Sequence, residues 1–126
     1  MKVLTIKQPW ATLIINGDKR FEFRSWRTNY RGELLIHAGK SVDKDAMKRL
    51  NKYLKNEIPL GKIIGKVNIT DCIELDEKLK EELLKENRDI YKNSKIGEYG
   101  WKIEDVTVFE ESIEVCGKLG LWNYDI

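Results

Sequence analysis

The chain is poor in the residues that build metal and disulfide sites: of its 126 residues, two are cysteine and one is histidine. Cys72 and Cys116 form no Cys-x-x-Cys pair and His37 is the lone imidazole, which excludes a zinc site made from the usual four Cys and His ligands. No disulfide is expected. Both thiols fall among apolar strand residues, where free cysteine behaves as a small buried hydrophobe. Proline is scarce as well, at two residues, while 41% of the chain is hydrophobic and 35% charged. That balance belongs to a folded soluble domain rather than a disordered one. Long apolar runs are missing: none approaches the roughly 20 residues of a membrane span, and Met1-Lys2-Val3-Leu4 lacks the anatomy of a signal peptide. A cytoplasmic location and no membrane partner are the expectations. A strong charge of one sign is absent too, since the formal net charge is only +2.

What the chain does have is concentrated early. Residues 1–40 hold Lys2, Lys7, Lys19, Arg20, Arg24, Arg27, Arg31 and Lys40 against Asp18, Glu22 and Glu33, so a local basic surface is expected on a nearly neutral protein. The stretch 7–40 also carries Trp10, Trp26 and His37. In Lys19-Arg20-Phe21-Glu22-Phe23-Arg24, the phenylalanines recur with strand period and face one side, while Arg20, Glu22 and Arg24 face the other. Glu22 is expected to hold Arg20 or Arg24. A solvated strand face gives the same alternation, and ion pairs there contribute about 0–1 kcal/mol. The loop Ser25-Trp26-Arg27-Thr28-Asn29-Tyr30-Arg31-Gly32 favours a site instead, because guanidinium groups beside aromatic rings suit a planar anionic ligand.

In chain order, Met1–Lys7 reads as a strand. A short helix follows Pro9, with Trp10, Leu13 and Ile14 on one face and Gly17 at its end; Trp10 serves either as core or as site wall. Its N-terminus is a place where an anion is favoured. Strands are expected at 19–24 and 33–37. His37, beside Leu35-Ile36, is either a hydrogen-bonded structural residue or part of a site. Ser41 is placed as the cap of a helix reaching residue 54, with Ala46 and Leu50 on its apolar stripe. Pro59-Leu60-Gly61 breaks the chain. The longest strand, 62–75, directs Ile63, Val67, Ile69 and Ile73 inward, with a bulge or bend at Gly65. An amphipathic helix over 76–88 follows, then strands at 101–109, 113–115 and 118–124. The length is that of one domain, residues 1–126, without repeats or linker. Six or so strands and two or three helices without a βαβ rhythm predict an α+β fold, a small mixed β-barrel decorated by helices.

Gln8-Pro9-Trp10-Ala11, Leu13-Ile14, Gly17, Lys19, Glu22, Arg24, Trp26, Tyr30-Arg31-Gly32 and Ile36-His37 together resemble the ASCH (activating signal cointegrator homology) domain, a branch of the PUA-like superfamily. Gly100-Trp101, Phe109, the segment 113–115 and Gly117-Lys118-Leu119-Gly120-Leu121-Trp122 extend the likeness over nearly the whole chain. The resemblance implies a PUA-like barrel and RNA binding. The first reading is accordingly a binding module in which a cleft between the first helix and the barrel, lined by Lys19, Glu22, Arg24, Trp26, Tyr30 and Arg31, accepts a nucleotide or single-stranded RNA, with Gln8, Trp10 and His37 as further ligand-binding candidates. No cofactor or metal is implied, and a monomer is expected.

The second reading is enzymatic. Relatives in the superfamily resemble amidohydrolases of 4-acetylcytidine that use a lysine, a threonine and a glutamate, and some ASCH proteins have been proposed as ribonucleases. Lys19 matches the lysine, but Glu22 stands where the threonine is expected, which removes the hydroxyl nucleophile. Lys19 and Glu22 remain as candidate catalytic groups, the carboxylate to activate water and a cation to stabilise an oxyanion. The same pair suits a pocket for the hydrogen-bonding edge of a base.

Overall fold

The computed structural model describes residues 1–55 and 58–126. Its strands are β1 (Lys2–Gln8), β2 (Phe21–Arg24), β3 (Gly32–Val42), β4 (Lys62–Glu74), β5 (Tyr99–Glu114) and β6 (Leu121–Asn123). The helices are α1 (Trp10–Ile15), α2 (Lys44–Arg49) and α3 (Glu77–Tyr91), with a 3-10 turn at Asn51–Tyr53. None of the described helices is long and apolar enough to cross a membrane. All six strands join one sheet in the order β2-β5-β4-β3-β1-β6. Only β1 and β3 are parallel; the other pairs are antiparallel.

The fold is therefore mixed α+β, but the barrel expected from the sequence is an open sheet. Its edges are β2 and β6, and among the described residues no strand pairing joins them. The sheet still curls: the Arg24 guanidinium of β2 donates to the Thr5 carbonyl of β1 at 2.8 Å, spanning the gap with a side chain.

Three apolar clusters hold the layers together. Leu4, Ile6, Ile36, Val67, Ile69 and Trp101 pack beneath Ala11, Ile14 and Ile15 of α1. Phe21, Leu13, Leu50, Leu75, Leu83 and Tyr91 join β2 to the helices. Val3, Leu35, Ile63 and Trp122 form the third. Each large side chain so buried contributes about 1.5–3 kcal/mol.

Ile63 was expected on the same face as Val67 and Ile69, and it lies in a different cluster. Ile36 pairs with Gly65 and His37 with Ile63, so Ile64 is an extra residue on β4. A one-residue bulge reverses the face of everything beyond it. β3 runs on to Val42, which makes Ser41 a strand residue. The cap of α2 is Asp43, whose carboxylate accepts from the Ala46 N–H at 3.1 Å, and the helix ends at Arg49.

The two strands expected over 101–115 are one. Phe109–Ser112 stand opposite Ile64 alone, an excursion where a break was expected, and Asp105 takes a φ of 52° at a second irregularity. Helix α3 reaches Tyr91 because Asn87, itself non-helical, accepts from the Ile90 N–H at 3.2 Å and caps a final turn. Cys72 is buried as expected, whereas Cys116 is exposed, since it follows the end of β5 rather than lying within a strand; both are free thiols.

Candidate functional site

Burial covers both faces of β2. Phe21 and Phe23 join the cluster under the helices, and Glu22, which alternation places opposite them, is also buried. Arg20 leaves this row altogether, since its guanidinium pairs with Glu86 of α3 at 2.5–3.1 Å. Glu22 instead lies between Lys19 and Arg24. Its Oε1 is 3.2 Å from Lys19 Nζ and its Oε2 is 3.1 Å from Arg24 Nε. The second contact is an ion pair whose N–H is not aimed at the oxygen, so Arg24 Nε has no hydrogen-bond partner.

Lys19 is only 6% exposed. Its Nζ also donates to the Phe21 carbonyl at 2.5 Å, and it stands 5.5 Å and 5.3 Å from the ring centres of Trp10 and Phe23. Loss of hydration on burial pushes its pKa below the ordinary lysine value, and the Glu22 charge pulls part of the way back. A buried ammonium next to one carboxylate and a guanidinium is stable only because each has a partner.

These groups open into a cavity of about 590 Å³ whose inner wall is Trp10, Lys19, Glu22, Phe23 and Arg24. That is the size of a small-ligand site, for which about 300–1,000 Å³ is usual. Asn93 and Ser94 form part of another wall. They are held by the Lys80 ammonium, which donates to the Tyr91, Lys92 and Ser94 carbonyls. Five cations, Lys7, Lys19, Arg24, Lys40 and Lys118, face three carboxylates, Glu22, Asp43 and Glu98, across the cavity. A larger hollow of about 830 Å³, against α1 and the Phe109 excursion, is lined by Ile15, Tyr53, Ile64 and Phe109, and neither Lys19 nor Arg24 reaches it.

Among the candidate site residues, the fold thus brings Trp10, Lys19, Glu22 and Arg24 together. It places the others elsewhere. Gln8 is buried as a structural group: its Oε1 accepts from the Thr12 N–H at 3.0 Å, occupying the helix end where an anion was anticipated, and its Nε2 donates to the Pro59 carbonyl at 2.9 Å. Trp26 lies edge-on to Trp101, with ring centres 4.8 Å apart. Tyr30 donates to the Glu33 carbonyl, and Arg31 to the Thr28 and Tyr30 carbonyls at 3.1 and 2.9 Å. These bonds tie the loop to itself and to the start of β3, and Arg31 also pairs with Asp71 of β4 at 3.7 Å. His37 lies edge-on to Trp122, with Nε2 2.7 Å from the Val115 carbonyl.

Lys7, Lys40, Lys118 and Leu119 line the cavity without having been marked as site residues. Lys7 and Lys40 belonged to the basic excess of residues 1–40, whereas the 117–120 loop reaches the site only through the pairing of β6 with β1.

The ASCH domain family model matches residues 4–120. Mouse and human activating signal cointegrator 1 are 36% and 35% identical over 81 residues, a match covering 56% of this chain and 14% of each of those proteins. The chain therefore spans about one-seventh of the length of these curated relatives. Among solved structures, ASCH from Zymomonas mobilis superposes with a TM-score of 0.56 at 14% identity, over 90% of this chain and 72% of that one. A single-substitution variant of it gives 0.55 at 15% identity. At such identity the likeness establishes a shared fold. The family match over residues 4–120 carries further, and by it the chain belongs to the ASCH domain family.

Proposed function

We propose that this ASCH domain is a binding module that takes a nucleotide or a stretch of single-stranded RNA into the cleft beside α1. The observation that carries the reading is the buried row Lys19–Glu22–Arg24, with two cations to one carboxylate, at the inner wall of a cavity that also presents the Trp10 indole. Two cations against one carboxylate leave the wall net positive, which suits an acceptor-rich edge of a base, and an indole wall suits its face. Stacking on Trp10 is worth about 1–3 kcal/mol. Trp26 and Tyr30, lying outside the cavity, take no part in this contact.

The hydrolase reading draws on the lowered proton affinity of Lys19 beside a carboxylate. Against it, both Glu22 oxygens lie against cations rather than standing free to activate a water. Binding is tested by fluorescence anisotropy with a labelled ten-nucleotide RNA across salt concentrations. Affinity that falls as salt rises is expected; no binding below the millimolar range, or affinity indifferent to salt, overturns the reading. Turnover of 4-acetylcytidine or RNA that Glu22→Gln abolishes would transfer the assignment to the hydrolase.

A further inference from the structure

We propose that Lys7, Lys40 and Lys118 form a phosphate subsite at the mouth of the cleft, so that the ligand is a phosphorylated nucleotide unit and not a free nucleoside. This rests on the reading of the cleft as a base pocket and adds the group at its other end.

Three observations converge. First, the cavity is polarised in depth. Lys19 and Glu22 are 6% and 7% exposed, whereas Lys7, Lys40 and Lys118 are exposed yet line the same cavity. A nucleotide that enters base first leaves its phosphate at the exposed end.

Second, the mouth lysines are uncommitted. Among the described residues, ion pairs engage Lys19, Arg20, Arg24, Arg31, Lys52 and Lys66, and none engages these three. Of the carboxylates lining the cavity, Glu22 lies against Lys19 and Arg24, while Asp43 accepts from the Ala46 N–H and Glu98 from the Lys95 N–H at 2.6 Å, and among the described residues none forms an ion pair with the three lysines.

Third, the three lysines converge from separate elements. Ile6 pairs with Ala38 and Gln8 with Val42, so Lys7 of β1 stands across from the segment Gly39-Lys40-Ser41 on the neighbouring parallel strand, and Lys118 comes from the 117–120 loop that precedes β6. The Lys40 stem is laid over Gly61, where a Cβ would come within 3.0 Å of its Cε, which restricts its path. A phosphate at the mouth is thus met by ammonium groups drawn from β1, β3 and the 117–120 loop.

The test uses the full chain and three probes: the ten-nucleotide RNA, a nucleoside 5′-monophosphate and the corresponding nucleoside. With the wild-type protein the monophosphate should compete for labelled RNA at least about tenfold better than the nucleoside. In the triple variant Lys7→Gln, Lys40→Gln, Lys118→Gln this preference should vanish. The slope of log affinity against log salt should fall by about 0.7, the contribution of the one single-strand phosphate contact the subsite makes. A control triple, Lys48→Gln, Lys78→Gln, Lys85→Gln, changes the net charge equally at exposed positions outside the cavity and should keep the wild-type slope. Circular dichroism melts confirm folding; should the triple variant unfold, each single substitution is read instead, with a slope reduced by up to about 0.7. An unchanged slope in the mouth variant, or equal losses in both triples, overturns the subsite and leaves the binding module standing. A wild-type protein that binds neither RNA nor nucleotide overturns both.

Discussion

Replacing Glu22 by leucine tests whether the inner wall is an interdependent charge row or two unrelated contacts. The substitution strands the Lys19 ammonium, 6% exposed, with the Phe21 carbonyl as its remaining hydrogen-bond acceptor. Breaking one side of a buried pair costs about 3–5 kcal/mol. At about 4 °C per kcal/mol for a domain of this size, melting should fall by about 12–20 °C. The double variant Lys19→Met, Glu22→Leu removes both desolvated charges and fills the space with apolar atoms, and should recover most of that loss. Urea unfolding at pH 7, followed by tryptophan fluorescence, measures both. A single variant that loses less than about 1 kcal/mol refutes the reasoning, as does a double variant no better than the single.

The pH profile separates this account from simple loss of packing. Burial depresses the Lys19 pKa in the folded protein, so between that depressed value and the ordinary 10.5 the unfolded chain binds more protons than the native one. Stability on this account rises with pH across the interval and is lost as pH falls through the folded value. Without Glu22 the upward pull on the ammonium disappears and the interval widens downward. Glu22→Leu should therefore regain stability from a lower pH than the wild type does. Profiles of Glu22→Leu and of the double variant that run parallel from pH 7 to 10 would refute it.

Tyr91, buried and with its pKa pushed up to about 12 by burial, should make the protein lose about 2 kcal/mol as pH rises from 10 to 12. Tyr91→Phe should abolish that alkaline loss in urea titrations while costing about 1–3 kcal/mol at pH 7, because the Arg20 N–H loses its acceptor at 2.8 Å. Gly65→Ala puts a Cβ 2.5 Å from the Thr107 carbonyl oxygen and 2.7 Å from Ile15 Cδ1. Backbone cannot yield as a side-chain end can, so a loss of about 1–3 kcal/mol is expected in thermal melts. Asp76→Ala removes the acceptor of the Leu79 N–H at 2.8 Å and should cost about 1 kcal/mol, read as reduced α3 helicity and melting temperature.

Local pattern made the strands and helices legible where the chain obeys one period throughout. Phe21, Glu22 and Phe23 alternate as written, and the α1 stripe of Leu13 and Ile14 is buried as the spacing demands. Legibility ended where one extra residue reverses a face, as at Ile64, since nothing in Lys62-Ile63-Ile64-Gly65 says which isoleucine is the extra one. The same limit applies to Asn87, which resembles any polar helix residue until it caps a further turn. At the candidate site, Lys19, Glu22 and Arg24 meet because they are neighbours on one strand and its approach. Trp26 and Tyr30 look equally suitable by composition, yet Trp26 packs on Trp101 and Tyr30 bonds to the start of β3. Composition identifies groups fit for a ligand; only the path of the backbone decides which of them face the same space.

That path also explains why the cleft lies where it does. The sheet fails to close between β2 and the β1–β6 end, and Arg24 spans the opening by donating to the Thr5 carbonyl of β1 while Glu22 holds its other edge. The inner wall therefore has two duties, joining the edges of the sheet and facing the cavity, and substitutions there should move stability and binding together. The mouth has one. Lys7, Lys40 and Lys118 form no ion pair among the described residues, so their removal should lower ligand affinity while leaving the unliganded protein as stable as before. A ligand present at 100 times its dissociation constant stabilises the fold by about 2.7 kcal/mol. In the mouth variant at the same ligand concentration that increment should shrink while the ligand-free melt holds. In Glu22→Leu the ligand-free melt should itself collapse. A mouth variant that melts lower without ligand, by as much as the inner-wall variant does, would mean that the lysines support the sheet, and the division between a wall that builds the cleft and a mouth that serves it would fail.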